Sequence, residues 1–447
     1  MSVIRIGAGA GFQGDRLEPA VELAERGALD YLVFECLGER TIALAQQARI
    51  GDPTGGYDPL LERRMRAVLP SCRRGGTRII TNMGAANPRA AAERTVAVAR
   101  ELGLTGLRVA AVTGDDVLDR IGDHVLDETG APARALGARL VSANAYIGVG
   151  GLVEALKAGA DVVICGRASD PALFLAPLVH EFGWARDDWN RLGRGVLVGH
   201  LLECAAQVTG GYFADPGKKD VPDLARIGHP LAEVDADGRA VITKVAGSGG
   251  RITRATCTEQ LLYEIHDPAR YLQPDVVADF SGVTFEEVGP DRIAMDGAGG
   301  RPATGRMKVS VGYRDGWLGE GQISYAGANC IARGELAIDL VRRRLSTLGD
   351  AIHESRGELI GVNSVWPAAT GTARTPEVRM RYAARCDSAE TARRVREEVE
   401  GLYLAGPAGG GGVTGSLREI LAIASTLIPA EDVRTVVEMK EVAGETA

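Results

Sequence analysis

The sequence predicts an α/β protein, with an N-terminal parallel sheet carrying helices on both faces and a smaller α+β domain after it. Three observations carry this. Short apolar runs recur through the first 167 residues with helix-period segments between them, the pattern of βαβ units. The chain holds 59 glycines, many at the ends of those runs, as tight turns in an α/β enzyme require. Near Gly210 the alternation gives way to successive strands, with a hairpin turn at Asp235-Ala236-Asp237-Gly238. The expected division is residues 1–210 and residues 211–447, the second part holding a C-terminal glycine-rich loop. The expected site lies in the cleft between the two parts.

Taken in order, Val3 to Ile6 read as a buried strand and the glycines after it turn the chain. Asp15 then reads as a helix N-cap, followed by Leu17, Ala20, Val21 and Leu23 at helical spacing. Leu29 to Phe34 form the second strand, ending in Glu35-Cys36. Helices follow at Thr41 to Ala48 and Leu60 to Val68, either side of the Asp52–Pro59 loop. The third strand, Arg78 to Asn82, leads through Met83–Pro88 into a helix reaching Leu102. Further parallel strands are expected at Leu107–Val112, Arg139–Asn144 and Asp161–Arg167. Asp170-Pro171 opens a helix to Glu181, with the proline in its first turn. A helix from Val196 to Val208 places His200, Glu203, Cys204 and Gln207 on one face. Strands are then expected at 231–234, 240–244, 276–279, 283–288, 292–294 and 307–313. A helix at Glu335–Leu345, a strand at Val378–Cys386 and a helix at Ala389–Tyr403 come next. Gly406–Ser416 precedes a last helix expected near Leu417.

Bulk composition narrows the function class. Hydrophobic residues make up 45% and charged residues 25%, an ordinary globular balance. A net charge of −8 argues against a nucleic-acid or anionic-membrane surface as the main partner. No apolar run approaches the roughly 20 residues of a membrane span, and the opening directly on a strand predicts no signal peptide. The seven cysteines are scattered without CxxC spacing, so neither a disulfide framework nor a zinc knuckle is expected. The chain reads as a cytoplasmic protein acting on a small molecule, and a homo-oligomer is expected.

In open α/β sheets ligands bind beyond the carboxyl ends of the strands. The polar residues at those ends are Glu35, Asn82, Asn87, Asp115, Asn144, Tyr146, Arg167 and Asp170. Glu35 is the expected general base, because a carboxylate beside a glycine turn is readily desolvated and tuned. Asn82, Asn87 and Asn144 are expected to orient a carbonyl, and Arg167 to pair a carboxylate or phosphate. Each also has a structural alternative: asparagines at strand ends cap helices, and Arg167–Asp170 would serve as an ion pair. The face carrying Glu203 is as well explained by a polar helix–helix seam as by catalysis.

Gly9, Gly11 and Gly14 satisfy G-x-G-x-x-G, with Glu35 roughly twenty residues on, the fingerprint of an NAD-dependent oxidoreductase. Against that alternative, Asp15 would put a carboxylate where pyrophosphate sits. Gly409, Gly410 and Gly411 form either an anion cradle or a turn, and the missing Gly-Lys-Ser/Thr ending rejects a Walker site. Cys36 and Cys204 are expected to be buried thiols rather than nucleophiles. The Asp and Glu residues would suit a divalent metal, although no ligand spacing is diagnostic. The cofactor is left open.

Eight stretches resemble the acyclic terpene utilisation family named for AtuA. They are Gly9–Arg16, Phe34–Leu37, Asn82–Pro88, Gly166–Ala172, Gly199–Cys204, Thr209–Phe213, Glu259–Glu264 and Gly406–Gly411, collinear over nearly the whole chain. The resemblance implies a place in the catabolism of branched acyclic terpenes and related acids, which runs through acyl-CoA thioesters. A lyase or hydratase-like enzyme on an acyl-CoA or small carboxylate is therefore the first expectation. Many relatives continue into a small ferredoxin-like domain, so the resemblance also implies a small partner protein of that fold. A non-catalytic subunit working with such a partner is the remaining alternative.

Overall fold

In the computed structural model, which describes residues 3–366 and 375–443, five strands pair in parallel. They are β1 (Val3–Ala10), β2 (Tyr31–Phe34), β3 (Arg78–Thr81), β4 (Arg108–Thr113) and, after β5 (Leu140–Ala145), β6 (Val162–Cys165). Their order is β1-β2-β3-β6-β4, with Tyr31 opposite Ile6, Val33 opposite Ile80 and Val163 opposite Ala110. Successive side chains point to opposite faces. Tyr31, Val33, Ile80, Ala110 and Val163 pack in one core layer, while Leu32, Phe34, Ile79, Val109 and Ile164 pack in the other. Both faces are covered, which is why the strands read as continuous apolar runs. The second layer receives α1 (Glu18–Arg26) and, after α2 (Glu39–Gly51), α3 (Leu61–Gly75) and α4 (Pro88–Glu101). The first receives α5 (Gly150–Lys157), α6 (Asp170–Phe182) and α7 (Trp189–Leu202). The molecule is of the α/β class.

The same sheet then continues with reversed direction. β7 (Pro230–Asp235) runs antiparallel beside β1, and β8 (Ala240–Lys244) returns through the Asp237-Gly238 turn, where Gly238 has φ 79°. After α8 (Arg254–Leu262) come β9 (Tyr271–Leu272), β10 (Val277–Asp279), β11 (Thr284–Gly289), β12 (Arg292–Asp296) and β13 (Gly299–Arg301). β12 and β11 extend the large sheet, and β9, β10 and β13 make a small one. The remaining elements are β14 (Arg306–Ala326), α9 (Cys330–Leu345), β15 (Ile352–Ile360), β16 (Glu377–Cys386), α10 (Ala389–Glu400), α11 (Leu402–Ala405), β17 (Gly411–Pro429) and β18 (Val436–Glu441). β18 closes the far edge of the large sheet against β4, with Val437 opposite Val112. Among the described residues that sheet has ten strands.

By its contacts the chain forms two compact units, residues 1–312 with 423–447 and residues 313–422. The change of character near residue 210 marks the switch from parallel to antiparallel pairing. In the second unit, α9 and α10 pack Ala337, Val341, Val395 and Val399 against Ile323, Met380 and Cys386 of the sheet.

Three expectations are corrected. The strand at 139–144 is present as β5, but it leaves the parallel sheet and pairs with β14. Residues 114–139, between β4 and β5, hold no α-helix to cross over the sheet, and β5 doubles back antiparallel to the segment after β4, with Asn144 bridged to Asp116. No helix starts at Leu417: residues 411–429 are strand β17, in which Ala424, Thr426 and Ile428 are buried and Leu427 between them is exposed. That alternation is the period of a strand. Finally, α7 ends at Leu202, short of the expected Val208, and Ala205 breaks the helix with φ 41°.

Candidate active site

Glu35, Asn82, Asp115 and Arg167 each stand just beyond the carboxyl end of a parallel strand, β2, β3, β4 and β6 respectively. All are buried, Arg167 to 1% exposure. The Glu35 Oε1 accepts from Asn82 Nδ2 (2.9 Å) and from the Leu37 amide (2.8 Å). Asn82 Oδ1 in turn accepts from the Cys36 amide (2.8 Å), which fixes the orientation of its side-chain amide. Arg167 Nη1 lies 3.9 Å from Glu35 Oε1 and donates to the Leu37 carbonyl. Its main pairing is with Asp170, Nη1 to Oδ1 at 2.7 Å and Nη2 to Oδ2 at 3.3 Å. The Tyr146 ring stacks against the guanidinium at 4.0 Å, a cation–π contact, and the Tyr146 hydroxyl donates to Glu39. Lys308 completes the rim, its Nζ 3.1 Å from Glu39 and 4.9 Å from the Tyr146 ring centre.

Burial decides the titration of these groups. It raises the Glu35 carboxyl to about 8, helped by the charge of Asp170 and only partly opposed by Arg167. Asp115, also lifted by burial, reaches about 6 despite accepting from the Arg167 amide and Asn144. At Glu39 burial loses to the Tyr146 hydroxyl, Arg167 and Lys308, which bring it down to about 2. Arg167 stays charged because Asp170, Tyr146 and Glu35 outweigh its desolvation. The result is one permanent cation beside one carboxyl that holds its proton at neutral pH.

Other expected site residues fall into different roles. Asn144 supports Asp115 (2.8 Å) and accepts from Gln46 (3.3 Å). Asn87 Oδ1 caps α4 by accepting from the Ala90 amide (3.3 Å), and its Nδ2 donates to the Pro53 and Gly55 carbonyls. Glu203 sits at the end of α7 with Oε1 2.8 Å from His200 Nδ1, and burial lifts it to about 7. Gly409, Gly410 and Gly411 belong to the 313–422 unit.

Gly9 and Gly11 are close-packed positions, while Gly14 faces only the exposed Phe12 ring. A Cβ on Gly9 would meet the Phe34 ring at 2.7 Å, one on Gly11 the Cys204 backbone at 2.5 Å, and one on Gly14 the Phe12 ring at 2.7 Å. Asp15 is not the expected helix cap: α1 begins at Glu18 with Leu17 before it. Asp15 instead turns back on the loop, Oδ2 accepting from the Gly11 amide at 2.9 Å. The carbonyls of Gln13 and Asp15 are held by Arg64 Nη2 at 2.8 Å and 3.3 Å. The loop thus spends a donor on its own aspartate, and Gly14 lies four residues before the helix. This geometry does not present a dinucleotide cradle.

Sequence reasoning passed over Glu39, Lys308, Arg64 and Gln260. Glu39 carried a signal, as the first helical residue after Gly38 near the end of β2, and Gln260 lies in the family-like stretch Glu259–Glu264. Cys36 and Cys204 are raised well above ordinary thiols by burial, as expected of inert cysteines. Among the described residues no group of three or more His, Cys, Asp or Glu side chains is arranged to hold a metal ion. No described helix is long and apolar enough to cross a membrane.

The fold and site define an α/β protein with a buried acid/base cluster at the carboxyl edge of its parallel strands. The model of the acyclic terpene utilisation family protein AtuA matches residues 4–439, and the chain belongs to that family. Membership supports involvement in acyclic terpene utilisation. No curated protein and no solved structure matches the chain.

Proposed function

We propose that the chain is an acid/base enzyme acting on an acyl-CoA thioester or a small branched carboxylate, by hydration, dehydration or a related lyase step. The observation that carries this reading is the Glu35 carboxyl, buried and raised to about 8 beside the buried Arg167. In the hydration direction the protonated Glu35 gives its proton to the α-carbon. In the reverse direction its carboxylate takes the α-proton, and the electron pair left behind moves toward the thioester carbonyl. Arg167 supplies positive charge for that developing enolate, and its Nε is buried with no partner in the protein. Family membership supports involvement in acyclic terpene utilisation, and the thioester substrate is part of this proposal. The homo-oligomer and the small ferredoxin-like partner are part of the same proposal.

The test is solvent exchange. Protein and a branched acyl-CoA are incubated in deuterium oxide, and α-deuterium is followed by mass spectrometry. Exchange is expected with the wild type and should fall about 100-fold or more in Glu35→Gln. Wild-type protein that binds thioesters but exchanges no α-proton would overturn the reading.

A further inference from the structure

Beyond α7 the chain builds a second polar cluster. His200 Nε2 faces the Leu261 carbonyl at 3.2 Å, and Gln260 Nε2 donates to the His200 carbonyl at 3.0 Å. A carbonyl only accepts, so Nε2 carries a hydrogen, and Nδ1 shares a proton with Glu203 Oε1. The same reasoning fixes the Gln260 amide with its oxygen turned away from that carbonyl. Two oxygens are then left over. Glu203 Oε2 and Gln260 Oε1 are buried with no hydrogen-bond partner, on side chains whose residues are 6% and 1% exposed.

Buried polar atoms without a partner are costly, and two around one histidine call for the same explanation. The cluster is also joined to the site. Gly11, at the end of β1, packs on the Cys204 backbone that follows Glu203, and the Asp170 charge acts on both Glu203 and Glu35.

We propose that Glu203 Oε2, carrying the carboxyl proton, donates to the hydroxyl of a β-hydroxyacyl substrate, the group that leaves as water or arrives from it, while Gln260 Oε1 accepts from that hydroxyl. The inference rests on the acid/base reading above and names the second half of that site. On dehydration the Glu35 carboxylate takes the α-proton and the α-electron pair forms the C=C bond. The β C–O bond breaks, and the departing hydroxyl takes the proton from Glu203 to leave as water. Hydration is the reverse, with Glu203 accepting a proton from water while its oxygen bonds to the β-carbon. His200 is a positioning residue that holds Glu203 through Oε1 and leaves Oε2 free.

The experiment compares binding of 3-hydroxyisovaleryl-CoA with that of isovaleryl-CoA by calorimetry. Wild type should prefer the hydroxy thioester by about 10-fold or more, since only its hydroxyl satisfies the two oxygens. Glu203→Gln and Gln260→Met should each lose the preference, read as the ratio of the two affinities within the same variant. Equal wild-type affinities, or a preference intact in both variants, would overturn the inference and leave the acid/base reading standing. Failure of wild type to bind either thioester would remove both. If a variant does not fold, as judged by circular dichroism, the wild-type comparison decides alone.

Discussion

Arg167 and Asp170 face each other through two contacts, 2.7 Å and 3.3 Å, three residues apart at the start of α6. The arginine is sealed while the aspartate is one-third exposed, so a single partner reaches both solvent and the buried guanidinium. Replacing Arg167 by Ala strips the cation from beside Glu35 and Asp170. Because the Asp170 left behind is one-third exposed and Glu35 holds its proton, the expected loss is about 1–3 kcal/mol, that of a buried hydrogen-bonded group, to be read from urea denaturation. Arg167→Lys should rescue little of this, because an ammonium cannot span both Asp170 oxygens while reaching the Leu37 carbonyl.

Glu35 makes stability depend on pH. Its carboxyl titrates near 8 in the folded chain against an ordinary value of 4.5, so between those limits the folded state holds more protons than the unfolded one. Stability from this group is present below pH 4.5 and is lost as pH rises through 8. Glu35→Gln keeps the acceptor for Asn82 and Leu37 and removes the titration. It should lie about 1 kcal/mol or more above wild type at pH 8.5 relative to the difference at pH 5. Parallel melts at the two pH values check this.

Tyr146 contributes through its ring and its hydroxyl separately. Tyr146→Phe keeps the stack on Arg167 but takes the hydroxyl from Glu39, so the Glu39 carboxyl should move up from about 2. A stability loss of about 1 kcal/mol at neutral pH is expected. Denaturation curves for the Phe and Ala variants separate the two parts, with Ala the larger loss.

Asn87 was expected to touch ligand, and the fold gives its polar atoms to the α4 cap and the 52–59 loop. Asn87→Ala should cost about 1 kcal/mol of stability. Thioester affinity, measured by calorimetry well below the melting temperature, should be unchanged.

Gly11→Ala puts a methyl group 2.5 Å from the Cys204 carbonyl carbon, a main-chain atom that cannot swing aside. A loss of about 1–3 kcal/mol is expected. The turn that carries Glu203 must shift, so the preference for the hydroxy thioester should fall in the same variant.

The strand ends were legible because strand period and placement depend on nearby sequence. Glu35, Asn82, Arg167 and Asp170 all follow apolar runs that form parallel strands, and these four do converge. Lys308 was not legible, since it reaches Tyr146 only because β5 leaves the sheet to pair with β14, a choice made by distant residues. Gln260 sits in an ordinary helix, and only its packing on His200 gives it meaning. Asp15 was misread because one side chain suits two local bonds, a helix cap and an acceptor for the preceding turn, and the loop closed by Arg64 selects the second.

The pairing of β18 with β4 also sets an order of assembly. Val437 meets Val112 only after residues 313–422 have been synthesised, so the second unit leaves the ribosome before the first has its final strand. Until then β4 offers an open row of amides and carbonyls to any neighbouring nascent chain, the kind of edge on which proteins aggregate. A truncation before Val436 would make that exposure permanent, and loss of solubility would precede any loss of chemistry.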